Sequence, residues 1–329
     1  MDVDNTPTRD EELWFSDGGL VVQAEQSLFR VYGGILAARS PVFKDMLSIT
    51  QPPDAETIEG CPVVRLPDRA ADITVFFRAI FDSSFFEPHP YEVSFQSVLS
   101  IIRCSGKYEV GYLRRRALVH LSYDLPTTLS GYDGDNSSTN FNSFLGSPAS
   151  RWIPPCIAAV QLARQVNALW VLPVAFHHLA TTDKKTTQKV LDCTSFDGHP
   201  AKLSGDDQFV FLTCSLLLIR LEHDAVSFLH SADSSPKCVG GTKCSAACLK
   251  AMTRVHRYMA GIVGPVPLGL CGSAGIWPDL SKTCCAQCYG FLKAADAVAR
   301  QEVWDKLPSI CGLPPWPELE RMKADALKC

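Results

Sequence analysis

Three features that mark common classes of protein are missing from this 329-residue sequence. It has no excess of positive charge, since its formal net charge is −4 at pH 7, and a general affinity for nucleic acid is therefore not expected. Its longest apolar run, residues 209–219, is interrupted by polar side chains and is shorter than the roughly 20 residues that a membrane-spanning helix needs. Its first residues carry neither a basic nor an apolar signal region. We therefore predict an intracellular protein of the nucleus or the cytoplasm that has no membrane partner.

The motifs that would indicate an enzyme are missing as well. The sequence has neither a phosphate-binding G-x-x-x-x-G-K loop nor a dinucleotide-binding G-x-G-x-x-G turn. Residues 271–275 resemble a nucleophile elbow only superficially, because Cys271 stands where that turn needs its first glycine. The adjacent His177 and His178 would point about 100° apart on a helix and do not suit one shared metal ion. We therefore predict that the protein is not an enzyme.

The composition is that of a folded protein with more than one domain. Apolar residues make up 46% of the chain and charged residues 20%, which is the balance seen in globular proteins. Polar side chains dominate residues 126–150, which we interpret as a linker or loop. Residues 151–235 are predicted to form a helical region and residues 236–329 a cysteine-rich helical tail. Within the helical region, residues 209–221 are apolar nearly all round, so we expect an internal helix there.

The pattern of residues 10–125 predicts an α+β domain. Two short segments rich in β-branched residues, 19–24 and 28–32, are close enough in sequence to form a hairpin, and residues 62–66 predict a third strand. Helices are predicted at residues 35–38, 42–47 and 73–81 and, as a broken pair, within 95–121. Ser40 and Pro41 separate the first two helices, because serine caps unpaired N–H groups and proline suits the first helical position.

The same stretch carries strings that resemble the BTB/POZ family. In chain order they are Asp17-Gly-Gly-Leu-Val-Val22, Phe29-Arg-Val-Tyr32, Leu36-Ala-Ala-Arg-Ser-Pro-Val-Phe43, Val63-Val-Arg-Leu-Pro-Asp68 and Lys107-Tyr108. The resemblance implies that residues 10–125 adopt the BTB/POZ fold, a small sheet with stacked short helices, and that this domain makes the protein a homo-oligomer. The rest of the chain resembles the helical region that follows an amino-terminal BTB domain in proteins of basidiomycete fungi, on strings such as Val303-Trp-Asp-Lys-Leu-Pro308.

Four positions of this domain are candidates for contacts with other proteins: Trp14, Phe15, Tyr32 and Gln51. Trp14 and Phe15 precede the first predicted strand, and we expect them to pack either at the interface that the BTB resemblance implies or within the chain. Tyr32 replaces the family's usual histidine and is followed by Gly33 instead of a basic residue, which argues against a co-repressor pocket. Gln51 replaces the glutamate by which some BTB domains bind cullins. A cullin partner is therefore disfavoured but stays an open alternative.

Half of the fourteen cysteines lie between Cys238 and Cys288. Cys244-x3-Cys248 has the spacing of one helical face and Cys285-x2-Cys288 that of a zinc knuckle, so these four thiols are candidates for a structural zinc site. Three further cysteines could replace any of the four: Cys238, Cys271 and Cys284. The alternatives are unligated thiols in a core or on the surface, and a disulfide.

These features together predict a non-catalytic protein that binds other proteins. It would act as an adaptor or scaffold that self-associates through residues 10–125. Two alternatives stay open at this point: a substrate receptor for a cullin ubiquitin ligase, and a zinc-dependent nuclear transcriptional regulator that uses residues 236–329.

Overall fold

The computed structural model describes residues 6–134, 149–229 and 235–328, apart from residues 51, 53, 182, 183, 193, 262 and 263. The chain forms two compact units: the first holds the described residues up to Asp124 and those from Ala324 onward, and the second holds the described residues between them. The described part contains a five-stranded sheet, a two-stranded hairpin and fifteen α-helices. The predicted α+β class is therefore confirmed.

The first unit is built on the five-stranded sheet. Its strands are β1 Thr8–Trp14, β2 Leu20–Ala24, β3 Ser27–Val31, β4 Thr57–Ile58 and β5 Cys61–Leu66. They follow the order β1-β3-β2-β5-β4, in which β2–β3 and β4–β5 are antiparallel and β1–β3 and β2–β5 are parallel. The hairpin and β5 occur where the sequence predicts them, and apolar side chains of the hairpin, such as Val22 and Phe29, are completely buried.

Strand β1 is an edge strand that the sequence did not reveal. Leu13 is its one fully buried residue, so the apolar alternation that marks a half-buried strand is missing. The strand is held instead by ion pairs: Arg9 contacts Glu59 at 2.5 Å, and Glu12 contacts Arg78. Charged side chains are typical of sheet edges, because they oppose pairing with a further strand.

Five helices complete the first unit: α1 Gly33–Arg39, α2 Pro41–Ser48, α3 Ala70–Phe81, α4 Phe95–Lys107 and α5 Gly111–Asp124. They match the predicted helices, including the break at Ser40 and Pro41. The Ser40 hydroxyl accepts a hydrogen bond from the Phe43 N–H at 3.0 Å and donates one to the Tyr108 carbonyl at 2.5 Å. Ser40 therefore caps α2 and joins its start to the end of α4.

An aromatic core lies inside this unit. Phe43 of α2 stacks on Tyr108 with ring centroids 4.6 Å apart, and Phe77 of α3 meets Phe29 of β3 edge-on at 5.6 Å. These rings are fully buried, as is Leu36 of α1. The string from Leu36 to Phe43 thus contributes the side chains at its two ends to the core.

The second unit is mainly helical. Its helices are α6 Leu129–Asp133, α7 Ala149–Gln165, α8 Leu172–Ala180, α9 Lys184–Leu191, α10 Gly205–Ala225, α11 Thr242–Gly261, α12 Leu270–Ser273, α13 Trp277–Thr283, α14 Ala286–Ile310 and α15 Trp316–Leu327, the last of which extends past the boundary between the units. Short 3-10 turns occur at Leu169–Val171 and Ser227–Leu229. No helix within the described ranges is both long and apolar enough to span a membrane.

Two parts of the second unit differ from the sequence interpretation. Helix α6 lies inside the stretch interpreted as a linker, while residues 135–148 of that stretch fall outside the described residues. A short hairpin of β6 Thr194–Phe196 and β7 His199–Ala201 interrupts the predicted helical region. Its turn contains Gly198 at φ +72°, a conformation that glycine adopts without a steric penalty.

The expectation that residues 209–221 form an internal helix is wrong for one face of α10. Phe211, Cys214 and Leu218 are buried, and the helix packs there against α8 and α14. The opposite face, which includes Phe209 and Leu216, is exposed. Apolar residues on all sides of a helix allow it to be buried on every side. Which sides are in fact buried depends on the elements that pack against it.

Candidate metal centre

Four cysteine thiols meet in the second unit. In the part of the chain that the structure describes, Cys238, Cys244, Cys285 and Cys288 form the one group of metal-ligand side chains, with their Sγ atoms all within 4.8 Å of one another. Cys244 and Cys288 are buried, and the other two are partly exposed. We call these residues the four-cysteine group.

The group is built from two similar loop–helix segments. Cys238 lies in the turn before α11 and Cys244 in the first turn of that helix. Cys285 is the N-cap residue of α14 and Cys288 lies in its first turn. Two helix N-termini therefore meet at the four sulfur atoms, and the partial positive charge of such ends favours thiolate over thiol.

Backbone N–H groups surround the sulfur atoms. The Cys285 N–H donates to Cys244 Sγ at 3.3 Å. Gly240 and Gly241 donate to Cys238 Sγ, while Cys288 and Val239 donate to Cys285 Sγ. Hydrogen bonds of this kind stabilise sulfur in its charged form, which is the form that binds metal.

The turn after Cys238 requires its two glycines. Gly241 has φ +52°, in the left-handed region. A Cβ atom on Gly240 would overlap with Cys244 Sγ, and it would also contact Cys285 Cβ at 3.6 Å. The close approach of this backbone brings Cys238 to the other three thiols.

The pKa values of Cys238, Cys285 and Cys288 are shifted in different directions. Backbone N–H donation from Cys288 and Val239 lowers the pKa of Cys285 to about 6. The pKa of Cys238 is also lowered, first by the Cys288 thiol and then by the N–H groups of the following glycines. Burial raises the pKa of Cys288, as do its hydrogen bonds to Cys238 and Cys285. In the metal-free group, negative charge on the sulfur atoms of Cys285 and Cys238 thus opposes ionisation of Cys288. A bound dication would remove that opposition.

The donor set fits zinc. Four thiolates are a common ligand set of structural zinc, and Zn–S bonds of about 2.3 Å place tetrahedral sulfur atoms roughly 3.8 Å apart. Sulfur atoms that already lie within 4.8 Å of one another need only a small contraction to reach that geometry. All four positions are filled by the protein, so the set has no place for a reactive water.

Three of the four predicted zinc ligands belong to this group, with Cys238 in the position predicted for Cys248. Cys248 lies one turn beyond Cys244 on α11, in an apolar cluster that includes Val255 and Leu280. Its thiol hydrogen-bonds that of Cys284. The spacing argument favoured Cys248 because it considered one helical face, but the chain reverses at two adjacent glycines directly before that helix. The pair Gly240-Gly241, two residues after Cys238, is a sequence feature compatible with this turn, but it does not by itself select Cys238 over Cys248.

The other candidate cysteines are not members of the four-cysteine group, although Cys284 hydrogen-bonds its Cys244. Cys271 is buried in the same apolar cluster and hydrogen-bonds Asp296, and burial raises its pKa. Cys284 hydrogen-bonds Cys248, and burial raises its pKa to about 12. None of the described cysteines is paired in a disulfide.

The predicted contact residues of the first unit have partners within the chain. Phe15 packs on Tyr32 at 5.0 Å and on Phe81 at 5.5 Å between ring centroids. The guanidinium of Arg9 lies over the ring of Trp14, 4.3 Å from its centroid. Both side chains keep part of their surface exposed. Gln51 lies outside the described residues.

Tyr32 has a polar partner that the sequence did not indicate. Its hydroxyl donates a 2.7 Å hydrogen bond to the exposed carboxylate of Asp17, which raises the pKa of Tyr32. A histidine at this position, as the resemblance implies for the family, would be able to carry charge near neutral pH. Tyr32, by contrast, contributes no charge to its hydrogen bond with Asp17.

A groove of about 540 Å³ lies between α11 and α13. Its apolar lining includes Ala247, Ile276 and Leu280, and three lysines stand at its rim: Lys243, Lys250 and Lys282. Arg254 and Asp279 close one side with an ion pair at 2.6 Å. Helix α11 forms one wall of the groove and also carries Cys244, a member of the four-cysteine group.

The chain was also compared with known proteins. Comparisons with models of protein families, with curated proteins and with solved structures each found no match.

Proposed function

We propose that this chain is a non-catalytic protein-binding adaptor whose second unit is held in shape by a structural zinc ion. The ion would be bound by Cys238, Cys244, Cys285 and Cys288. The observation that carries the proposal is that these four thiols lie within 4.8 Å of one another with N–H groups directed at their sulfur atoms, close to the spacing of a four-thiolate zinc site.

The completeness of the set favours a structural role for the metal. A catalytic zinc ion needs an open position for water or substrate, and four protein ligands leave none. Binding would supply the charge that four neighbouring thiolates require, and it would join α11 to α14. Its effect on function would be indirect, since it sets the walls of the lysine-rimmed groove between α11 and α13.

For the first unit we propose the BTB/POZ fold and self-association. Support comes from the order of the family-like strings on the observed elements: residues 17–22 lead into β2, residues 29–32 contain most of β3, and residues 36–43 span the break between α1 and α2. The exposed parts of Trp14 and Phe15 supply aromatic surface near β1, of the kind that protein interfaces are enriched in.

Metal analysis of the purified full-length chain tests the zinc proposal. We expect one zinc ion per chain, lost in Cys288→Ser and retained in Cys271→Ser, which removes an equally buried thiol outside the four-cysteine group. Wild-type protein with far less than one zinc per chain, or equal zinc content in the two variants, would overturn the proposal.

Light scattering of the same full-length protein tests self-association. We expect a mass of at least two chains that persists on dilution. A mass of one chain at every concentration would contradict the adaptor proposal for the first unit and leave the zinc proposal standing.

A further inference from the structure

Helix α10 has an apolar face that the described residues of the second unit leave largely exposed. Its outer side carries four large apolar residues whose exposed fractions are high: Phe209 71%, Leu212 42%, Leu216 67% and Ile219 48%. Scattered exposed apolar residues are normal in folded proteins. Four of them in one continuous stripe are unusual and mark surfaces that bind a partner.

The stripe has the spacing of a helix–helix seam. Steps of three, four and three residues separate Phe209, Leu212, Leu216 and Ile219, which is the alternation of the a and d positions of a coiled coil. On an α-helix these residues follow one line about 15 Å long. The residues beside the line, Thr213 and Ser215, are small and polar, so a second helix can approach closely.

The stripe is complementary to itself when a second copy runs antiparallel. Phe209 then lies opposite Ile219 of the second copy, and Leu212 lies opposite Leu216 of the second copy. Each pairing occurs twice around a two-fold axis at the middle of the stripe, as a closed dimer requires.

The charges at the two ends of the stripe match the same arrangement. Asp206 and Arg220 are both exposed and both occupy the e position of the heptad. In an antiparallel pair the e positions of the two helices face each other, so Asp206 of one copy meets Arg220 of the other, twice. A parallel pair would place Arg220 near Ser215 of the second copy and give Asp206 no basic neighbour.

We propose that the outer face of α10 is an interface that binds the same face of a second copy of this chain, with the two helices antiparallel. The partner is a second copy of this chain because both apolar layers and both charge pairs are complementary when two identical helices pack antiparallel. This interface belongs to the second unit and is separate from the self-association proposed for the first unit. Together the two interfaces would link chains into assemblies larger than a dimer.

Sedimentation velocity of the zinc-loaded full-length chain tests the interface. We expect Leu216→Asp to weaken assembly at this face by roughly tenfold or more, since it places a charge in the centre of an apolar seam. Val298→Asp is the matched control, because Val298 is similarly exposed, at 59%, but lies on α14 outside the stripe. Circular dichroism and zinc content confirm that both variants are folded.

Charge exchange tests the antiparallel direction. Asp206→Arg and Arg220→Asp should each weaken assembly, and the double variant should restore it, because each pair then regains opposite charges. Equal sedimentation of Leu216→Asp, Val298→Asp and wild-type protein would overturn the interface. A double variant no better than the single variants would overturn the antiparallel arrangement.

The test separates this inference from the proposed function. A Leu216→Asp chain whose assembly is smaller than that of wild-type protein but still a dimer retains the association proposed for the first unit and has lost the α10 interface alone. A chain that keeps its full assembly in Leu216→Asp contradicts the α10 interface and leaves the adaptor proposal intact.

Discussion

Cys285 donates its backbone N–H to the Sγ atom of Cys244 at 3.3 Å, across 41 residues of sequence. The bond joins the N-terminal end of α14 to the first turn of α11. In each of the two loop–helix segments, one thiol lies before the helix and the other lies inside its first turn. The same N-terminal N–H groups that lack helical partners thus stabilise sulfur, and binding of the proposed zinc ion would link the arrangement of the two helices to the metal.

Removal of the metal is expected to destabilise the second unit. Without the dication, the lowered pKa of Cys285 leaves negative charge among three other sulfur atoms. A ligand that binds only the folded state at a hundredfold its dissociation constant contributes about 2.7 kcal/mol, so EDTA should lower the free energy of unfolding by at least about that amount. Urea unfolding followed by circular dichroism measures this effect, and added zinc should reverse it. Superimposable unfolding curves with and without chelator would contradict the prediction.

Gly240→Ala is expected to reduce zinc affinity. The added methyl group overlaps with Cys244 Sγ, so either that sulfur or the turn that carries Cys238 must move. We expect a loss of roughly tenfold or more, the scale on which changes around metal ligands act. Competition with a chromogenic chelator measures the affinity. Gly290→Ala on α14 is the control, because its added Cβ meets no atom within 4 Å, and unchanged zinc affinity in both variants would show that the close approach at Gly240 is unimportant.

Ser40→Ala is expected to destabilise the first unit. The substitution removes the cap of α2 and leaves the buried Tyr108 carbonyl without its donor. Loss of a cap and of a buried hydrogen bond together costs about 2 kcal/mol in the free energy of unfolding. Ser48→Ala, which removes an exposed hydroxyl at the other end of α2, should change stability by less than about 0.5 kcal/mol. Chemical unfolding of both variants tests the difference, and equal stability of the two would refute a structural role for Ser40.

Acidic pH is expected to destabilise the second unit through His177. Burial lowers the pKa of His177 to about 3, and its ring nitrogens have no hydrogen-bond partner among the described residues. The unfolded chain binds a proton near pH 6.5 and the folded chain does not, so stability is present above that pH and is lost as the pH falls toward 3. His177 alone should cost about 2 kcal/mol between pH 7 and pH 5.

His177→Leu is the variant that isolates this effect. It should lose less stability than wild-type protein over the same change of pH, with the difference equal to the share of His177. Some dependence should remain, because burial also lowers the pKa of His178, to about 4. Urea unfolding at the two pH values measures both quantities. Parallel losses in variant and wild type would contradict the assignment to His177.

The local elements of the first unit were predictable because their signals are local. Ser40 and Pro41 mark the start of α2 by cap chemistry that involves only neighbouring residues, and the structure confirms the break there. The hairpin β2–β3 was predicted from two β-branched segments separated by a short turn, and it is confirmed as well. Strand β1 was missed because ion pairs with Glu59 and Arg78, which are distant in sequence, hold it in place of apolar alternation.

The sequence by itself determined the α+β class, the start of α2 at the Ser40–Pro41 break, and the presence of enough clustered cysteine for a metal site. The tertiary structure alone decided that Cys238 and not Cys248 joins Cys244, Cys285 and Cys288, because a turn at two glycines and the meeting of two helix ends bring distant sulfur atoms together. It also decided which side of α10 is covered. Spacing along one helix reports which side chains share a face, whereas what that face meets depends on chain segments far away in sequence.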